Sequence, residues 1–115
     1  MATKAETRDR AANELGLLRL GQSLQYQDQV RIESAYDEVY EQLKEDGLAT
    51  WASTGSVPTK LVPHVVALVA DNCLNTYGVS NDRYTRIKND SSVAKREIRN
   101  LITPDYESLE EPSDF

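Results

Sequence analysis

The stretch from Val57 to Gly78, VPTKLVPHVVALVADNCLNTYG, constrains the fold more than any other part of the chain. Its apolar residues fall at Leu61, Val62, Val65, Val66, Leu68, Val69, Ala70, Cys73, Leu74 and Tyr77, which is the three-to-four spacing of an α-helix. They cover most of the helix circumference instead of one stripe, so the helix must be covered on several sides. In 115 residues only two or three other elements, with or without a second copy of the chain, are there to cover it. Pro58 and Pro63 both suit a first turn, where a missing N–H costs nothing. The pattern predicts a helix from about Lys60 or Pro63 to Tyr77, with Gly78 as a left-handed stop.

Three more helices are predicted around it. Thr3 and Glu6 have capping-box spacing and open a helix over 3–15, with Ala5, Ala11, Ala12 and Leu15 on a narrow apolar face. Gly16 or Gly21 ends it, and Leu17, Leu18, Leu20 and Leu24 in the following connection should tuck into the core. Residues 26–46 form a second helix, with Val30, Tyr36, Val39, Tyr40 and Leu43 on its apolar stripe and Gly47 just past its end. Gln25 is a poor N-cap for it. The acidic residues of its last turn oppose the helix dipole, so packing must hold that end. Trp51, in the irregular crossover that follows, should plug the core edge. A fourth helix, over 81–102, repeats Tyr84, Ile87, Ser91, Ala94, Ile98 and Leu101 at alternating three- and four-residue steps, and Thr103-Pro104 ends it. The expected fold is an all-α bundle of about four helices spanning 1–103. An extended acidic tail, 104–115, carries five acidic residues and no basic one.

Charge and composition narrow the function. The net charge of −6 argues against a protein that binds nucleic acid over its whole surface. The single cysteine, Cys73, sits in the apolar helix and reads as a small core residue. The first ten residues lack the apolar run of a signal peptide, and no stretch approaches the roughly 20 apolar residues of a membrane span, so a soluble, cytosol-made protein without membrane contact is expected. No phosphate loop, Ser/His/Asp set or paired cysteines occur. His64, the only histidine, lies in the first turn of the central helix, where the dipole disfavours its charged form; a neutral surface or half-buried role outweighs a catalytic one. No enzyme, catalytic residue, metal ligand or cofactor is therefore expected.

The two amphipathic helices carry opposite charge. Glu33, Asp37, Glu38 and Glu41 lie on the outer face of the second; a solvated acidic face is the plain reading, and an inter-subunit ion-pair surface the sharper one. Arg83, Arg86, Lys95, Arg96 and Arg99 lie on the fourth. That basic face lacks the interleaved aromatics of a single-strand binder, so pairing with acidic protein is preferred to phosphate contact.

From residue 12 to 78 the segments ANELGLLRLGQSL, AYDEVYEQLKEDGLATWA and SVPTKLVPHVVALVADNCLNTYG follow one another in a specific order. Leu15-Gly16, Asp46-Gly47-Leu48, Trp51, Val57-Pro58 and Tyr77-Gly78 carry the pattern. It resembles the small helical head-to-tail adaptor proteins of tailed bacteriophages, and most nearly the packaged-DNA-stabilisation or tail accessory proteins of short-tailed phages. The resemblance implies a structural virion protein at the head–tail interface, made in the host bacterial cytoplasm. Copies would join in a ring, usually of about twelve, below the portal protein. The ring would extend the DNA channel, without sequence-specific binding, and receive a downstream tail or nozzle protein. In that setting the acidic face of the second helix and the basic face of the fourth would meet between subunits. Tyr106, Leu109 and Phe115 of the tail would dock on the portal or on an adjacent subunit. The alternative from another class is a small helical dimer that binds DNA or regulates through its fourth helix.

Overall fold

The computed structural model describes residues 1–17 and 24–102. Four α-helices form there: α1 (Lys4–Glu14), α2 (Tyr26–Glu45), α3 (Val62–Asn72) and α4 (Asn81–Ile102), with a short 3₁₀ turn, Thr59–Leu61, leading into α3. Among the described residues the fold is all-α. Its extended pairing is an isolated antiparallel bridge in which Ala2 and Val57 exchange hydrogen bonds of 3.1 and 2.7 Å. The tail 104–115, with Tyr106, Leu109 and Phe115, lies outside the described residues, as do Leu18 and Leu20.

The predicted capping box opens α1: Glu6 N–H donates to Thr3 Oγ1 at 3.1 Å, and Thr3 N–H donates to Glu6 Oε1 at 2.8 Å. Such a cap stabilises a helix by about 1 kcal/mol. Those contacts also hold the Glu6 carboxyl below its ordinary range. α2 starts at Tyr26 without a side-chain cap from Gln25. Both helices end in one device. Gly16 and Gly47 adopt φ of 81° and 75°. After α1, Gly16 N–H bonds Asn13 C=O and Leu17 N–H bonds Ala12 C=O; after α2, Gly47 bonds Lys44 and Leu48 bonds Leu43. This is the Schellman pattern, and it returns each chain to the core on a leucine, Leu17 half-buried and Leu48 buried.

α3 is the hub and touches the three other helices. Val62, Val65, Val66, Val69 and Ala70 are buried in it, against Ala11 and Ala12 of α1, Ile32, Tyr36, Val39 and Leu43 of α2, and Ile87 and Ile98 of α4. The expected end at Tyr77 is corrected: α3 stops at Asn72, and Gly78 has no positive φ. Cys73 N–H already bonds Ala70 C=O, Leu74 bonds Asp71, and Thr76 and Tyr77 both bond Cys73. The chain thus tightens into turns over Asn75 and Thr76, which are weak helix formers. Tyr77 then reaches α2, where its hydroxyl donates to Asp28 Oδ1 at 2.8 Å.

Two expected core positions also move. Val30 is 46% exposed, while Ile32 and Ala35 take the inward places on α2. Tyr84 is 45% exposed, leaving Ile87, Ala94 and Ile98 as the buried positions of α4. On α1, Ala5 is exposed and Thr7 is buried, its hydroxyl bonded to Thr3 C=O at 2.9 Å. Leu24 is buried as expected.

Candidate functional site

Chemistry on this surface is carried by charge. On α2, Glu33 receives Arg8 at 2.6 Å and Asp37 receives Lys4 at 2.8 Å, both from α1. Burial works against the Arg8 charge, but hydrogen bonds to Asp9 and Glu33 outweigh it and raise the guanidinium pKa. Two members of the predicted acidic face thus already fasten α1 to α2. Glu38 and Glu41 are exposed.

The predicted basic face divides in a similar way. Arg83 Nη1 donates to Glu14 C=O at 3.1 Å and Asn13 C=O at 3.3 Å, a cation at the negative end of the α1 dipole. A Cβ on Gly16 would lie 3.2 Å from the Arg83 side chain, so a glycine there serves both the turn and this contact. Arg86 pairs with Glu14 at 3.2 Å, and Lys95 pairs with Asp46 at 3.0 Å beyond the end of α2. The Lys95 contact places a cation where packing alone was expected to offset the acidic helix end. Lys88 Nζ sits 2.9 Å from Asp71 Oδ1, an otherwise unpartnered buried oxygen, and that carboxylate raises the ammonium pKa. Arg96 is 68% exposed, with Glu97 at 3.9 Å, and Arg99 is exposed.

The crossover after α2 is locked by three rings. Trp51 Nε1–H donates to Tyr36 Oη at 3.0 Å, and Tyr40 O–H donates to Trp51 C=O at 2.7 Å. The Tyr40 and Trp51 rings meet edge to face at 5.8 Å. All three side chains are buried, so these hydrogen bonds satisfy groups that would be costly left alone. Burial pushes the Tyr36 hydroxyl pKa up. Burial likewise pushes the Cys73 thiol up to about 11, which keeps it protonated and inert. Tyr77 rises to about 12, through burial first and then the adjacent Asp28.

A groove of about 480 Å³ lies between α1, α3 and α4. Val66, Ala67, Ala70 and Ile87 form its floor, and Asp9, Arg10, Asn13, Glu14 and Asp90 its rim. Among the described residues the rim mixes both signs and holds no histidine or thiol. His64 is half-buried. Among the described residues no three His, Cys, Asp or Glu side chains converge as a metal site, and no helix is long and apolar enough to cross a membrane.

Sequence reasoning missed the exposed apolar residues. Tyr26 is 77% exposed and lies one turn before Val30; Tyr84 stands out on α4 with Lys88 Nζ 5.8 Å above its ring. The signal was present for Val30. A stripe phased on Ile32, Tyr36, Val39 and Leu43 leaves it on the opposite side of the helix. Comparison of the chain with protein-family models, with curated proteins and with solved structures returns no match.

Proposed function

We propose that this chain is a structural virion protein, a head-to-tail adaptor that assembles as a ring below a phage portal, lengthens the DNA channel and joins the capsid to the tail. The observation behind this reading is the ordered motif set over residues 12–78. Three of those motifs work as architecture: Leu15-Gly16 and Asp46-Gly47-Leu48 are Schellman turns, and Trp51 locks the crossover. Separate acidic and basic helices on one small subunit also suit a closed ring, where unlike surfaces meet at every junction. The portal, further copies of the chain and a downstream tail protein are the proposed partners, with Tyr106, Leu109 and Phe115 as the portal anchors.

The test is the solution mass of the full chain, alone and mixed with a portal ring from the same phage. The reading expects a single species of portal plus one ring, and no retention on duplex DNA. A dimer indifferent to the portal, with salt-dependent DNA affinity, would replace it with the regulatory reading.

A further inference from the structure

Two apolar features of the surface are separate and opposite in shape. On the outer side of α2, Tyr26 is 77% and Val30 46% exposed, one turn apart. The groove of about 480 Å³ lies between α1, α3 and α4, and among the described residues α2 lines no part of it. One copy can therefore offer α2 while it receives another's. The groove does not suit a charged occupant. Asp9 is held by Arg8 and Glu14 by Arg86, which leaves Arg10 and Asp90, of opposite sign, exposed on facing walls. A tyrosine suits it better, with an apolar ring for Val66, Ala67 and Ala70 and a hydroxyl that reaches the polar rim.

The two features also match in length and direction. Lys60 is exposed in the 3₁₀ turn just before Pro63 of the groove, and Glu38 is exposed on α2 beyond Val30. Tyr26 to Glu38 spans about 18 Å of helix, and Ala70 back to Lys60 spans about 16 Å. Tyr26 over Ala70 thus sets Val30 over Val66 and Glu38 beside Lys60, with α2 antiparallel to the receiving α3. With Val30 on the floor, the right-handed winding of α2 turns Tyr26 to the α1 wall and Gln27 and Glu38 to the α4 wall. Lys60 lies on that side, because the 3₁₀ turn packs on α4. Within one subunit α2 already runs antiparallel to α3. α1 and α3 both start beside the Ala2–Val57 bridge, and Lys4 and Arg8 of α1 meet Asp37 and Glu33 of α2 in reverse order. Rotation about an axis along the helices keeps this sense from copy to copy, as a closed ring requires; a two-fold axis across them would reverse it.

We propose that Tyr26 and Val30 of one copy seat in the groove between α1, α3 and α4 of the next, with Glu38 on Lys60. The burial gained is mainly that of Tyr26 and Val30 themselves, well short of the roughly 1,000 Å² of a stable pair. A closed ring gives each copy two such contacts, and the last one forms within the particle. The charge pair contributes little energy but penalises misalignment. The contact does not draw on Arg83, Arg86, Lys88 and Lys95 of α4, which are bonded inside the subunit. The proposal rests on the reading of the chain as a ring former and adds the surfaces, sense and register of the contact.

Disulfide trapping tests it in the full chain, alone and with the portal ring, because Cys73 is buried and inert. Under mild oxidation, Gln27→Cys mixed with Asp90→Cys should give a cross-linked dimer that neither variant gives alone. Ser34→Cys mixed with Asn13→Cys should stay unlinked, since Ser34 lies about 12 Å along α2 from Tyr26 and turns to the other wall. Tyr26→Ala should abolish the ring while the circular dichroism and melting of the chain stay unchanged. Glu38→Lys should remove the mixed cross-link, and Lys60→Glu in the same chains should restore it. No cross-link in the first mixture, a cross-link in the second, a ring that survives Tyr26→Ala, or no restoration by the double reversal would overturn the contact. A cross-link between Asp90→Cys and Phe115→Cys would give the groove to the tail and overturn it as well. A ring by mass without the first cross-link would overturn this contact and leave the ring reading standing. Cross-linked pairs that never close into a ring, with or without the portal, would keep the contact and overturn the ring.

Discussion

α2 turns Ile32, Tyr36, Val39 and Leu43 into the core and is tied across the crossover by the two hydrogen bonds of Trp51. α4 is two residues longer, yet it fully buries only Ile87, Ala94 and Ile98; Leu101 and Ile102 pack half-buried on the core, and Arg83, Arg86, Lys88 and Lys95 bond along its border. The contrast separates two ways of holding a helix. One side rests on a broad apolar stripe, with Arg8 and Lys4 of α1 paired to Glu33 and Asp37 at its edge. The other rests on a narrow apolar seam bordered by ion pairs that water and salt weaken.

The comparison breaks most completely at the hub that both sides share. Val69→Asp places an unpaired carboxylate at a site with no exposure, at a cost of several kcal/mol, which is most of the stability of a small domain. The variant should lose its helical circular dichroism or fail to stay soluble; cooperative folding would show that α3 is not the hub. On the α4 seam, Ile87→Ala should cost about 2–5 kcal/mol, read from the denaturant midpoint. Hydrogen exchange should show α4 amides opening before those of α2, and equal opening would erase the proposed difference.

On the α2 side, Tyr36→Phe strands the buried Trp51 indole N–H and should cost about 1–3 kcal/mol. A neutral result would mean that water reaches the indole. Gly16→Ala should cost about 1–2 kcal/mol for its left-handed backbone, with crowding of Arg83 added, while Gly78→Ala should cost less than Gly16→Ala by thermal melting. The smallest effect is expected at the rim of α4. Lys95→Ala should change stability by about 0–1 kcal/mol at low salt, and the difference from the parent should vanish as salt is raised.

Helix identity was legible because capping and spacing act locally: Thr3 with Glu6, Gly16 and Gly47 announce their helix ends from neighbours alone. α4 kept its predicted bounds for the same reason. The end of α3 was not legible, since Tyr77 leaves the helix for Asp28, a partner remote in sequence. The phase of α2 was misread at Val30 because Ile32 and Ala35 were left out of the stripe. The charged faces were visible as faces, but which members bond inside the subunit depends on tertiary neighbours. Glu33 and Asp37 meet Arg8 and Lys4 only once α1 lies beside α2, and Arg83 finds its carbonyls only once α4 reaches the end of α1.

The most direct test of the adaptor account is electron microscopy of the full chain mixed with its portal ring. The account predicts added density as one rotationally symmetric ring stacked on the portal, with α2 and α4 of neighbouring copies alternating side by side around it. Portal particles without added density, or density from a two-fold dimer lying apart from the portal, would contradict it.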